Sequence, residues 1–148
     1  MITTPVSRFG QSYHVPAGVP DTTSVAERQI PAGTGQLRQA LPELSLRDIA
    51  AGIAYYRDVL GFRINHAQGD LGVMTRDSIT LLLIPRTERH QGVGSCYVYI
   101  RDADALHAEL VAKAARVQDQ PVSTPWGLRQ FHVLDPEDNR ITFGQTFE

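Results

Sequence analysis

A second cysteine is missing from this chain, and with it any internal disulfide: Cys96 stands alone among 148 residues. No C-x-x-C pair or cysteine–histidine cluster offers a structural zinc site. Long apolar runs are missing too. No stretch approaches the ~18 residues that a membrane span needs, and the opening segment MITTPVSRFGQSYHVPAG lacks the charged-then-apolar order of an export signal. These absences predict a reducing, cytoplasmic setting and no membrane partner. There is no basic surplus either. Fourteen Lys and Arg face sixteen Asp and Glu for a formal charge of −2, and the basic residues are scattered, so no footprint for nucleic acid is present. What remains is 42% hydrophobic residues in a length usual for one domain.

Residues 1–39 carry four of the nine prolines and no sustained apolar period, which predicts an irregular N-terminal arm ahead of a single domain over 40–148. Regularity begins at QALPELSL, where Leu44 and Leu46 alternate with Glu43 and Ser45 as in a half-buried strand. Asp48 is placed to cap a helix over IAAGIAYYRDVL, with Gly61 to end it. Short strands are expected in FRINHA, LGVMT and ITLLLI. The order then repeats: SCYVYIRD as a strand, ADALHAELVAKAA as a helix with Leu106, Leu110 and Ala114 on one stripe, and LRQFHVL and RITFGQ as strands around the turn DPEDN. Ser45-Leu46-Arg47-Asp48 matches Tyr99-Ile100-Arg101-Asp102 at an offset of 54, and Ser78-Ile79-Thr80-Leu81 resembles Arg140-Ile141-Thr142-Phe143. The fold class is therefore α+β, built from two tandem βαβββ modules over about 40–86 and 93–148.

The paired modules, LRDIAAGIAYYRDVLGF after the first strand and DPEDN before the last together resemble the vicinal oxygen chelate superfamily of glyoxalases, extradiol dioxygenases and bleomycin-resistance proteins. PWGLRQFHVLDPEDN, SITLLL and Tyr97-Val98-Tyr99 are most similar to the bleomycin-resistance branch. The resemblance implies a curved sheet around a cavity, and in metal-dependent members one ligand from the first and one from the last strand of each module. The corresponding residues are Leu41, Thr80, Ser95 and Thr142. An alkyl chain and three hydroxyls lack the imidazole and carboxylate donors that Zn, Fe or Mn sites use, so neither metal nor other cofactor is expected. The turn departs from the family's Asp-Pro-Asp-Gly-Asn, which puts its tight positive-φ geometry in doubt.

Alternation sets Ser95, Tyr97 and Tyr99 on the cavity face of their strand and Cys96, Val98 and Ile100 on the other. Trp126, between Pro125 and Gly127, would add a third flat surface for a planar ligand. These aromatic residues could equally pack against neighbouring strands or a dimer partner. Glu43 shares the cavity parity and would favour a cationic ligand, unless it is a solvated strand-end residue. His132 reads as a ligand contact or as a strand residue with one hydrogen bond; Phe131 as cavity wall or core. The resemblance implies a homodimeric, non-enzymatic binder that sequesters a bleomycin-type antibiotic in clefts shared by two subunits. In that branch an N-terminal arm is exchanged between subunits, and Pro42, which fixes φ and donates no ladder hydrogen bond, suits a strand leaving its own sheet. Competing readings are a metal-dependent lyase or dioxygenase with displaced ligands, and a binder of an unrelated metabolite.

Overall fold

The computed structural model describes residues 4–7, 12–15, 35–68 and 70–147. The arm expected to be irregular holds one regular element, an antiparallel hairpin of β1 (Thr4–Ser7) and β2 (Ser12–Val15); its other residues up to 34 lie outside the described ones. The first module then runs β3 (Glu43–Leu46), α1 (Ile49–Asp58), β4 (Arg63–Gln68), β5 (Leu71–Arg76) and β6 (Ile79–Pro85). The second runs β7 (Ser95–Ile100), α2 (Ala103–Ala112), β8 (Arg116–Val117), β9 (Val122–Ser123), β10 (Leu128–Leu134) and β11 (Arg140–Thr146). The sheets repeat one order, β3-β6-β5-β4 and β7-β11-β10-β8, with β9 also on β10. In each module the first strand lies parallel to the last. Among the described residues no helix is long and apolar enough to cross a membrane.

Both helices start where the sequence places them, because Asp48 and Asp102 each accept the N–H three residues on, at 3.0 Å. Both end early. α2 stops at Ala112, and Ala114, expected on its apolar stripe, lies beyond the helix with φ +60. β3 begins only at Glu43, since Pro42 has no N–H to donate; its carbonyl still accepts Leu82 N at 3.0 Å. The repeat register also differs from the sequence match. Glu43 sits opposite Leu82 as Tyr97 sits opposite Thr142, so Leu82, not Thr80, is the counterpart of Thr142.

One core serves both modules: Leu46, Met74 and Leu83 of the first sheet join Phe131, Val133 and Ile141 of the second. A polar clasp fixes how they meet. Asp135 is fully buried, and its Oδ1 accepts the N–H groups of Glu137 and Asn139 at 2.9 and 3.0 Å. Its Oδ2 accepts the Tyr56 hydroxyl from α1 at 3.0 Å and Asn139 Nδ2 at 2.8 Å. Burial, then the Asp135 charge, hold the Tyr56 hydroxyl well above its usual pKa, so it stays a donor. Asn139 Nδ2 also donates to Ser45 O at 2.9 Å, and its Oδ1 accepts Gly94 N at 2.8 Å. The Glu137 carboxylate accepts the N–H groups of Arg47 and Asp48 at 2.8 and 2.9 Å, so the turn of one module caps the strand–helix junction of the other.

Asn139→Ala would leave a buried carboxylate oxygen short of a donor and Gly94 N without its acceptor. The expected loss is about 3 kcal/mol or more, since each buried polar group left unpaired costs ~1–3 kcal/mol; urea denaturation should show a lower midpoint at unchanged slope. Cys96 lies on the core side of β7, where burial pushes its thiol up to about 11. It should react slowly with Ellman's reagent at neutral pH and rapidly in urea, and equal rates would contradict this placement.

Candidate functional site

β7 leaves Tyr97 and Tyr99 38% and 46% exposed on one face while Val98 is buried on the other. Parallel pairing with β11 and antiparallel pairing with β10 set two rows across that outer face. One is Tyr97–Thr142–His132, the other Tyr99–Gly144–Gln130. The tyrosine rings lie 5.2 Å apart and tilted by 52°, leaving two angled, half-exposed aromatic faces for stacking. Tyr97 leans across its neighbour: a Cβ on Gly144 would overlap the Tyr97 hydroxyl and ring, so only glycine permits this pose. The hydroxyl, held protonated by burial and then by Tyr99, donates to Gln130 Oε1 at 2.9 Å. That contact engages the acceptor end of the Gln130 amide, whose other end is a donor NH2.

His132 is fixed from the sheet edge. The ladder on β10 breaks between β8 and β9, and Asp119 fills the break, accepting His132 N at 2.7 Å and pairing with Nδ1 at 2.8 Å. In the tautomer that donates Nδ1–H to this carboxylate, Nε2 is the ring's acceptor. The face thus offers two rings, an amide donor and an imidazole acceptor. It suits recognition of a planar molecule with polar edges.

The structure unites only part of the set chosen from sequence. Tyr97, Tyr99 and His132 share the outer face. Phe131 does not: it is 0% exposed on the opposite face, edge-on to His107 of α2 at 5.2 Å, because odd-numbered residues of β10 face the core. Glu43 is exposed on the other sheet, opposite Leu82. Trp126 tops the turn from β9 to β10, held by Thr124 Oγ1 on Leu128 N and O and by Gly127 at φ +86. It is 39% exposed, beside β10, which β11 separates from β7 and its tyrosines. Gln130, Gly144 and Asp119 were missed. Gln130 and Gly144 could have been found from strand parity; Asp119 sits in a loop that no period marks.

The positions assigned to metal ligands offer no donor set. Leu41 precedes β3, Thr80 shares its hydroxyl with Thr75 at 3.2 Å, and Leu82, the register-corrected counterpart, is aliphatic. Among the described residues no three His, Cys, Asp or Glu side chains group to hold a metal. The residues present do not fit a divalent ion.

Comparison with known proteins gives a consistent set. The model of the Glyoxalase/Bleomycin resistance protein/Dioxygenase superfamily matches residues 38–143. A bleomycin resistance protein of Geobacillus stearothermophilus is 23% identical over 126 residues, covering 72% of this chain and 96% of that protein. A bleomycin-binding protein solved with bleomycin superposes with a TM-score of 0.65 at 20% identity, over 75% of this chain and all of that one. A lactoylglutathione lyase from Agrobacterium tumefaciens superposes with a TM-score of 0.59 at 26% identity, over 72% and 92%.

Gly144→Ala tests the aromatic pose directly. The added methyl must lift the Tyr97 ring and break its bond to Gln130, so near-ultraviolet circular dichroism from tyrosine should change while the melting temperature falls by only a few degrees. An unchanged tyrosine signal would show that Tyr97 does not lie over Gly144.

Proposed function

The chain belongs to the Glyoxalase/Bleomycin resistance protein/Dioxygenase superfamily, and from that membership we propose that it is a non-enzymatic small-molecule binder that sequesters a flat, cationic ligand of the bleomycin type. The observation that carries this reading is the Tyr97–Tyr99 pair, exposed beside the Gln130 amide and the His132 ring. A half-exposed aromatic pair backed by oriented polar groups is a recognition surface.

The working unit is a two-fold dimer. The outer face of the first sheet carries Val73, Leu82 and Ile84, only partly buried, and laying it over the tyrosine face of a second copy would cover both and form two clefts. Glu43 of one protomer would then face the aromatic residues of the other and supply the carboxylate for a cation. Trp126 lies at the rim of such a cleft. A lyase or dioxygenase reading has the Agrobacterium relative in its favour and the missing donors against it; elemental analysis of purified protein separates the two.

Bleomycin titration should quench Trp126, the only tryptophan, and raise the melting temperature, a ligand at 100 times its Kd adding about 2.7 kcal/mol. Trp126→Ala should weaken binding by ~1–3 kcal/mol with little change in melting. If millimolar bleomycin, with or without copper, changes neither emission nor melting, the ligand is of another kind. If the protein is a monomer at every concentration, the shared cleft is wrong.

A further inference from the structure

On the core side of β7, opposite the tyrosine face, a cleft of about 650 Å³ opens between the β5–β6 turn, the edge strand β7 and the first turns of α2. Its size falls in the range of ~300–1,000 Å³ typical of small-molecule pockets. Phe62, Val98 and Phe143 form its floor, each with a sliver of surface left uncovered at 5%, 8% and 6% exposure, and Ile79 and Leu106 form its walls. Tyr99, on the edge strand, borders it.

The charges on its rim are not evenly matched. Arg76 makes a two-pronged pair with Glu109, at 2.8 and 2.9 Å, and Asp77 has its nearest cation, Arg76 Nε, at 3.9 Å. Asp102 is turned onto the N-terminus of α2, where it caps Ala105 N. Glu109 and Asp77 thus share Arg76, and Asp102 is held by a backbone N–H. Arg101 is the lining cation that makes no hydrogen bond or ion pair with any described residue. A guanidinium fork beside an apolar hollow matches a carboxylate with an apolar body, the fork holding both oxygens while the body displaces water from Phe62 and Phe143.

We propose that this cleft is a second binding site, distinct from the tyrosine face, for a monocarboxylate with an apolar body. The test uses octanoate and octylammonium on the full chain, followed by calorimetry and amide chemical shifts. Octanoate should bind one per chain and saturate, shifting the resonances of Arg101, Ala105 and Leu106. Arg101→Glu should weaken octanoate by about tenfold or more while leaving octylammonium no weaker. Ala105→Trp, at an exposed rim position, should fill the cleft and abolish the shifts. Tyr97→Ala should leave octanoate unaffected, so the outcome stands apart from whatever bleomycin does at the other face. The proposal is overturned if octylammonium binds the parent as well as octanoate does, if Arg101→Glu binds octanoate like the parent, or if Tyr97→Ala removes the binding. It is overturned too if octanoate binds only as the protein is diluted, because a second copy of the chain would then be the occupant.

Discussion

Asp135 is a carboxylate without exposed surface, and the rest of the molecule is arranged so that it need not be unpaired. Burying an isolated charge costs several kcal/mol even after relaxation, so its two oxygens require donors that hold their places. Two are N–H groups of its own turn; the others are the Asn139 amide and the Tyr56 hydroxyl. Tyr56 belongs to the first module, and Asn139 also binds the carbonyl of Ser45 on β3 and the N–H of Gly94 just before β7. The need of one carboxylate thus ties together α1 and the leading strands of both modules.

That tie decides which faces are left for binding. Tyr55 adds a bridge from α1 to the second sheet, donating to Leu134 O at 2.8 Å and accepting Arg116 N at 2.9 Å, and the large apolar side chains of both sheets are drawn into the shared core. The opposite faces keep exposed side chains, Glu43 on the first and Tyr97 and Tyr99 on the second. On the second of these, Gly144 makes room for a tyrosine ring and Asp119 holds a histidine. Neither arrangement contributes to the core, so binding chemistry can differ between relatives of this fold while the clasp is kept.

Much of this was legible in the sequence. The helix starts follow from capping aspartates, and β10 spans Leu128–Leu134 as its alternation predicts, because local chemistry sets both. The parity of β7 was equally plain: Tyr97 and Tyr99 out, Val98 in. What sequence misplaced depends on partners distant in the chain. Phe131 was left open between wall and core, and its full burial against His107 of α2 decides it. The two-residue strands β8 and β9 are too short to show a period, and with them went Asp119, which acts by filling the gap between them. The repeat register was off by two residues because similarity of apolar residues in β6 and β11 does not report which residues lie across from β3 and β7. Trp126 was grouped with the tyrosines as a loop residue at the mouth of the cavity, and the sheet order puts β11 between β10 and β7.

The departure of DPEDN from the family's glycine-containing turn is resolved in the same physical terms. Asp138 takes the left-handed conformation at φ +70, which costs an L-residue roughly 1–2 kcal/mol, with Asp and Asn the side chains most tolerant of it. Arg116 offsets part of that cost, its Nη1 meeting Asp138 Oδ1 at 2.9 Å and also donating to Asp135 O. Glu137, at the position before Asp138, makes two charge-assisted bonds to the N–H groups of Arg47 and Asp48. Those N–H groups lie at the entrance to α1, where an anion is also favoured by the helix dipole. The turn therefore keeps a left-handed residue at 138 without glycine, while the residue before it holds the neighbouring module.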